Sequence, residues 1–303
     1  MELFTNQVLA GISTGAIYAC MALAVVMIFQ AIDHLNFAQG EMAMFSTFMS
    51  WQLMQWFKTG FGWEETYWLS YLLAFLITLA LSFLGGILIE RLLFKPLAKA
   101  PVLTNVAGFI ALFAIINSVA GLIWDFTIKA YPTPFGSGPF LGSQLISTHQ
   151  AGMIGITLLM LTGLYLFFQF TRIGLAMRAA AALPESARLV GINTSWMIAL
   201  GWGMASAIGA VAGMLIAPVV FLEPNMMGGV LVYGFAAAVL GGLTSPLGAV
   251  IGGFLVGVFE NLAGTYIPGV GNELKLPIAL ALIITVLVFK PAGLFGRAIV
   301  KRV

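Results

Sequence analysis

The sequence carries little charge. Only 8% of its 303 residues are Asp, Glu, Lys or Arg, whereas 61% are hydrophobic. Soluble globular chains have roughly 25% charged residues, so this composition excludes a water-facing globule, which could not bury so much apolar surface. The 35 glycines suit helices whose backbones pack closely in lipid. The chain is therefore predicted to be an all-α polytopic membrane protein.

Groups that support covalent chemistry are scarce. The single cysteine, Cys20, excludes an internal disulfide. The two histidines, His34 and His149, have no neighbours at metal-ligand spacing, and the sequence lacks the Gly-Lys dipeptide of a Walker phosphate loop. The 13 basic residues are dispersed, which argues against a nucleic acid partner. We expect no enzyme, no metal site and no cofactor in this chain; a membrane-embedded enzyme is the weaker alternative.

Apolar runs long enough to approach or cross a bilayer, which takes about 20 residues, occur seven times. They lie near 8–31, 39–57, 66–90, 102–124, 150–170, 194–218 and 276–290. A further apolar stretch, 228–264, is interrupted by residues that favour a turn: Gly241, Gly242, Ser245 and Pro246. We expect a broken helix or a re-entrant hairpin there, and about 8–9 transmembrane segments in total.

The basic residues indicate the orientation, because cytoplasmic loops are enriched in Lys and Arg. Ten of the 13 fall into three groups: Arg91, Lys95 and Lys99; Arg172, Arg178 and Arg188; Lys290, Arg297, Lys301 and Arg302. If all three groups lie inside, the N-terminus is outside, the C-terminus is inside, and 228–264 crosses an even number of times. No domain boundary is visible, so residues 1–303 are predicted to form a single transmembrane domain.

A polar segment, 36–41 (Asn-Phe-Ala-Gln-Gly-Glu), separates the first two apolar runs. An ionisable group at bilayer depth is costly and usually functional. Asn36, Gln39 and Glu41 are therefore candidates for a solute path, with Gly40 permitting a helix break. The alternative is that Glu41 caps the second helix at the membrane interface. Other intramembrane polar residues are expected to join helices through hydrogen bonds: Asn105, Asn117, Glu260 and Asn261.

The longest inside loop, 171–193, is predicted to contain two short helices. The first, near 174–183, is rich in alanine. The second begins at Pro184, which suits a first helical position, and stops at Gly191. Such a loop could be a contact lever for another protein. It could also lie on lipid headgroups with its arginines on phosphate.

Four blocks of the sequence occur in an order that points to a known family: 11–19 leading to 36–41, 178–193, 241–253 and 290–296. Together they resemble the LivH-type membrane permease subunits of bacterial branched-chain amino acid ABC importers, a family whose members also handle urea and amides. The resemblance extends over nearly the whole chain.

This resemblance implies a permease subunit of an ATP-driven importer in the bacterial inner membrane. It would form part of the path for branched-chain or other hydrophobic amino acids. The implied partners are a second related permease subunit, two cytoplasmic ATPases that use ATP with Mg, and a periplasmic solute-binding protein. Loop 171–193 would be the coupling helix that sits in a groove of the ATPase, with these residues in it: Arg178, Pro184, Glu185, Arg188 and Gly191.

The sequence also departs from the family. Many members have His at the place of Gln39, a Gly-Ala-Tyr-like run at 46–48, and a polar residue at Leu183 that could cap the next helix. The first two departures leave the solute open between hydrophobic amino acids and urea, short amides or aromatic acids. Two rival interpretations of the whole chain are an ion-coupled secondary transporter and a structural subunit without a path.

Overall fold

The structure is a computed structural model that describes residues 2–61, 67–98, 100–136, 138–140, 143–267 and 274–296. Helices dominate it. In chain order they are α1 (Glu2–Ile32), α2 (Gln39–Phe61), α3 (Tyr67–Ile89), a π-helical turn (Glu90–Phe94), α4 (Lys95–Leu97), α5 (Val102–Trp124), α6 (Thr148–Phe170), α7 (Arg172–Ala182), α8 (Pro184–Leu189), α9 (Thr194–Val220), α10 (Met227–Gly241), α11 (Pro246–Tyr266) and α12 (Lys275–Phe289).

Within the described residues, six helical segments are long and apolar enough to cross a membrane. They are Leu3–Ile32, Trp68–Leu97, Val102–Trp124, Thr148–Phe170, Thr194–Val220 and Pro246–Tyr266. Helices α10 and α12 are apolar too, but each has 15 residues. Helix α2 has 23 residues and carries Glu41 in its first turn and Lys58 in its last. The prediction of an all-α, multi-pass membrane protein is therefore confirmed.

The chain divides into two compact units. Met1–Val26, Phe135–Leu158 and Gly229–Val303 form the first unit, and Met27–Pro134 and Leu159–Gly228 form the second.

In the first unit, α1 packs on α11 through glycines on both helices. Gly11 and Gly15 lie against the α11 backbone, where Gly253 and Gly257 repeat the same four-residue spacing. A Cβ atom added at Gly257 would overlap the backbone of Gly15. Small residues at this spacing let two helices approach closely and gain dispersion contacts in lipid.

In the second unit, α9 packs against both α2 and α3. The contact with α3 is close at Gly86, where a Cβ atom would lie 2.6 Å from the carbonyl oxygen of Trp202. The Trp202 ring is fully buried and stacks 4.8 Å from Phe94, which stacks 4.4 Å from Phe109 of α5. Apolar helix surfaces and a ring stack therefore hold this unit together.

A two-stranded antiparallel sheet precedes α6, and the sequence did not predict it. Strands β1 (Pro139–Phe140) and β2 (Ser143–Ser147) pair with Pro139 opposite Ser147. Ser147 then begins α6 through a reciprocal cap: its Oγ accepts from the Gln150 N–H at 3.1 Å, and Gln150 Oε1 accepts from the Ser147 N–H at 3.0 Å. This is the capping-box pattern at a helix start.

Candidate functional site

A non-helical segment, 33–38, separates α1 from α2 and is called the first break. It begins at Asp33, whose φ of 56° is the left-handed conformation. At its far end Asn36 Oδ1 accepts from the Ala38 N–H at 2.9 Å, which starts α2 with a side-chain turn. Asn36 is fully buried, so the polar group that ends the break lies in the protein interior.

Gln39 joins the start of α2 to α9. Its Nε2 donates to the carbonyl oxygen of Ala205 at 2.9 Å, and its Oε1 accepts from Asn36 Nδ2 at 3.4 Å. Gly209 leaves room for it, since a Cβ atom there would lie 2.7 Å from Nε2. The buried amide therefore has an interior partner at each end, as buried polar groups require.

Glu41 lies on another side of the same helical turn and faces α5. Its Oε2 accepts from Asn117 Nδ2 at 3.2 Å. The same Nδ2 donates to the carbonyl oxygen of Pro224 at 3.0 Å and to Asn225 Oδ1 at 3.3 Å. Asn117 thus makes the interhelical bonds that the sequence predicted for intramembrane amides. The sequence did not predict that its partner would be Glu41.

Pro224 and Asn225 belong to a second non-helical segment, 221–226, between α9 and α10, called the second break. Phe221 has a φ of 65°, and Leu222 pairs with Lys129 through two backbone hydrogen bonds of 2.9 and 3.0 Å. Leu222 is fully buried. Buried polar groups that no helix pairs need partners of their own, and both breaks carry buried residues, so both mark a candidate site.

The carboxylate of Glu41 lacks a counter-charge in the described part of the chain. The residue is 2% exposed, and no described Lys, Arg or His nitrogen lies within ion-pair distance of it. The basic side chain of Arg91 is engaged elsewhere, 3.7 Å from Glu90 and over the Trp196 ring. A buried, unpaired carboxylate favours the entry of a cation.

The loop 171–193 forms α7 and α8. Thr171 caps α7 by accepting from the Gly174 N–H at 3.0 Å. Pro184 is the first residue of α8, and the preceding Leu183 offers no side-chain hydrogen bond to it. Gly191 follows α8 with a φ of 85°. The loop is therefore built from two separately bounded helices.

Large apolar side chains point outward from this loop. Leu189 is 89% exposed and Val190 76% exposed, and Leu183 is exposed as well. The same loop carries the polar candidates: Glu185 is exposed, and Arg188 donates from Nε to Thr194 Oγ1 at 2.9 Å. Arg178 donates from Nη1 to Gln169 Oε1 at 3.2 Å. An exposed apolar patch with a charged border is typical of a protein contact.

The predicted helix-break residues lie in one turn between α10 and α11. α10 ends at Gly241, and Gly242 has a φ of 107°. Ser245 Oγ accepts from the Gly248 N–H at 3.0 Å, and Pro246 is the first residue of α11. Backbone N–H groups of Leu294 and Phe295 donate to the end of α10 at 2.8 and 3.0 Å. Two of the sequence blocks, 241–253 and 290–296, are therefore neighbours.

A second buried carboxylate, Glu260 in the first unit, has a different setting. The Tyr18 hydroxyl donates to its Oε2 at 2.8 Å, and the ring of Tyr233 lies against the ring of Tyr18. The two tyrosine rings stack 4.7 Å apart. The sequence singled out Glu260 as a helix-joining residue but not Tyr18 as its partner, because no local pattern links positions so far apart.

Among the described residues, no cluster of three or more His, Cys, Asp or Glu could hold a metal ion. The site therefore offers hydrogen-bond acceptors, amides and one carboxylate. Such groups can bind a solute through hydrogen bonds and release it without forming a covalent bond.

Comparison with known proteins identifies relatives of this chain among transport proteins. Residues 7–287 match the family described as branched-chain amino acid transport system, permease component. The high-affinity branched-chain amino acid transport system permease proteins LivH of Salmonella typhimurium and BraD of Pseudomonas aeruginosa are each 31% identical to the chain, over 99% of it and 98% of their own length.

A more distant relative, the probable branched-chain amino acid transport permease protein LivH of Methanocaldococcus jannaschii, is 26% identical over 91% of this chain and 87% of its own. No solved structure matches the chain. The relatives are transport subunits and not enzymes. The chain therefore belongs to the family of permease components of branched-chain amino acid transport systems.

Proposed function

We propose that this permease subunit works in an ATP-driven ABC importer of the bacterial inner membrane and carries branched-chain or other hydrophobic amino acids. The observation that carries the proposal is the end-to-end similarity to LivH and BraD, whose names state high-affinity branched-chain amino acid transport. Urea, short amides and aromatic acids are the alternative solutes.

The proposed topology has the N-terminus outside and the C-terminus inside. That arrangement needs an odd number of crossings, and in this proposal nine helices make them: α1, α2, α3 with its extension, α5, α6, α9, α10, α11 and α12. The turn at 242–245 then lies inside, together with 171–193 and 290–296. This agrees with the excess of Lys and Arg in cytoplasmic loops.

The proposed solute path runs along the first turn of α2. Glu41 would meet a positively charged group, while the amides of Asn36 and Gln39 would offer polar contacts. Gly40 would permit the local change of backbone that admits a solute. Binding there should be weak, because a deep well would trap the solute, and specificity is better provided by the delivery protein.

The proposed docking surface for a cytoplasmic ATPase is the loop 171–193. Leu189 and Val190 are its most exposed apolar residues and would enter the ATPase groove, with Glu185 and Arg188 at its border. Closure of an ATPase pair on ATP and Mg would push on α7 and α8 and open the path alternately to each side. Gly191 and Pro184 set the ends of the helix that transmits this push.

The remaining proposed partners are a second homologous permease subunit and a periplasmic solute-binding protein. Purification of the tagged chain from its native membrane, followed by mass spectrometry, tests this assembly. Recovery of a second permease and of ATPase subunits, with hydrolysis stimulated by leucine-loaded binding protein, is the expected result. Recovery of the chain alone, with ATP-independent uptake in vesicles, would instead indicate an ion-coupled secondary transporter.

A substitution in the loop tests the docking surface. Leu189→Asp places a charge in the proposed apolar contact, so we expect co-purified ATPase to fall at least about tenfold, a loss of about 1.4 kcal/mol. The matched control is Ile128→Asp, at a residue that is 67% exposed but lies between α5 and β1. Equal ATPase recovery from both variants would contradict the docking surface.

A pair of variants tests the path. Gln39→Ala and Glu41→Gln are expected to reduce uptake of labelled leucine by proteoliposomes that contain the complete complex, with assembly at the wild-type level. If both variants transport leucine at the wild-type rate, the first turn of α2 is not part of the solute path.

A further inference from the structure

One nitrogen atom of the second unit is surrounded by three oxygen acceptors. Asn117 Nδ2 lies 3.2 Å from Glu41 Oε2. It also lies 3.0 Å from the carbonyl oxygen of Pro224 and 3.3 Å from Asn225 Oδ1. These three oxygens, from α2 and the second break, are called the acceptor site.

The Asn117 amide cannot satisfy the acceptor site completely. A primary amide carries two N–H donors, so at least one of the three oxygens receives no hydrogen from Asn117 at any moment. A protonated primary amine carries three N–H donors and a positive charge. It matches three acceptors, one of which is a carboxylate, and its hydrogen bonds to that carboxylate are the stronger, charge-assisted kind.

The acceptor site lies deep along its helix. Asn117 follows the start of α5 at Val102 by 15 residues, or about 22 Å at 1.5 Å per residue, and precedes its end at Trp124 by about 10 Å. In a helix that crosses a hydrocarbon core of about 30 Å, these lengths place the site away from both surfaces.

A helix start and a non-helical segment form the acceptor site. Glu41 lies in the first turn after the first break, and Pro224 and Asn225 form part of the second break. Binding sites of membrane transporters are typically built where helices are interrupted, because unwound backbone presents free carbonyl groups to the solute. The Pro224 carbonyl, which accepts from a side chain and not from a helix backbone, is such a group.

We propose that the acceptor site recognises the primary ammonium group of the transported solute, and that the Asn117 amide occupies the ammonium position between transport events. The proposal rests on the proposed function, because it requires an amine-bearing solute. It also narrows that function, since a carboxylic acid without an amino group has no donor for the site. On solute entry the Asn117 side chain moves off the three oxygens, and a cation replaces a neutral donor beside Glu41.

The test is equilibrium binding of leucine, by saturation-transfer NMR, to the complete permease–ATPase complex in nanodiscs without the binding protein. Asn117→Ala removes the competitor and leaves the three acceptors, so leucine should bind about tenfold more tightly, whereas Glu41→Gln should weaken binding about tenfold, each step corresponding to about 1.4 kcal/mol. The opposite signs distinguish recognition from a structural role, which would weaken binding in both variants.

Asn105→Ala is the matched control, since it removes another amide from α5 outside the acceptor site, and it should leave leucine binding unchanged. Isoamylamine, which keeps the ammonium of leucine, should displace leucine. 4-Methylpentanoate, which keeps only the carboxylate, should not. Three results would overturn the acceptor site. Both site variants could bind leucine more weakly, or both could bind it as the control does. The third is displacement of leucine by 4-methylpentanoate as strong as by isoamylamine.

ATP-dependent uptake by the wild-type complex separates this proposal from the proposed function. A wild-type complex that takes up no amino acid overturns the proposed function and the acceptor site together. Normal wild-type uptake, with site variants that behave like Asn105→Ala, overturns the acceptor site alone.

Discussion

Two of the three buried glutamates among the described residues, Glu41 in the second unit and Glu260 in the first, have different surroundings. Glu260 Oε2 accepts a hydrogen bond from the Tyr18 hydroxyl at 2.8 Å, and the Tyr18 ring stacks on Tyr233. Glu41 shares a single amide with two other acceptors, and no described cation lies at ion-pair distance. Glu260 therefore has a donor that no other acceptor among the described residues shares, whereas the donor of Glu41 is divided among three acceptors.

The difference assigns the two residues different roles. A buried polar group with matched partners adds rigidity, since each bond it makes would be costly to leave unmade. A buried carboxylate with too few hydrogen-bond donors is stabilised when a solute brings a further donor, so such a carboxylate suits a binding site. We therefore interpret Glu260 as a joint between α1 and α11, and Glu41 as a contact for the solute.

The largest stability effect is expected at the joint. Glu260→Ala leaves the buried Tyr18 hydroxyl without its acceptor and removes buried side-chain atoms, so we expect the complex to lose about 2–4 kcal/mol of stability. Thermal unfolding of the purified complex in detergent would measure this loss. Glu41→Ala in the same assay is the comparison, and an equal loss from both variants would remove the distinction between the two carboxylates.

The contact between α1 and α11 at Gly15 and Gly257 should have the next largest effect on stability when it is changed. Gly257→Ala would place a methyl group into the backbone of Gly15, and overpacking of this kind typically costs about 1–3 kcal/mol. Gly60→Ala is the control, because nothing lies within 4 Å of a Cβ atom there. Similar thermal midpoints for the two variants would show that α1 and α11 tolerate a wider separation.

The smallest expected effect comes from removing one donor of the joint. Tyr18→Phe should cost about 1–2 kcal/mol, because a single hydrogen bond to a carboxylate is lost and the ring stack with Tyr233 is kept. Tyr233→Phe and the double variant complete a cycle. Additive losses would indicate independent tyrosines, whereas a coupling energy above about 0.5 kcal/mol would support one connected network.

The sequence predicted local features well. The run 102–124 matches α5, which begins after Pro101 and ends before Asp125 with its positive φ of 62°. Pro184 begins α8 as its fixed φ suggests. Hydrophobic period, proline and glycine act within a few residues, so they can be read without knowing the fold.

The partners of the two carboxylates could not be predicted in this way. Asn117 lies 76 residues from Glu41, and Tyr18 lies 242 residues from Glu260. Such pairs are set by how helices pack. An apolar helix in lipid carries no amphipathic pattern that shows which of its sides contacts the neighbouring helix. The contact of the second break with Asn117 was missed for a related reason: Pro224 and Asn225 signal a turn, but nothing local signals that Pro224 is buried and accepts from α5.

ATP-driven uptake of labelled leucine by proteoliposomes, normalised to assembled complex, tests the central claim most directly. The complete complex is compared as wild type, Glu41→Gln and Glu260→Gln. We predict that Glu41→Gln reduces uptake at least about tenfold, equivalent to about 1.4 kcal/mol, while Glu260→Gln transports at nearly the wild-type rate per folded complex. Wild-type uptake by Glu41→Gln, or an equal reduction in both variants, would contradict the account.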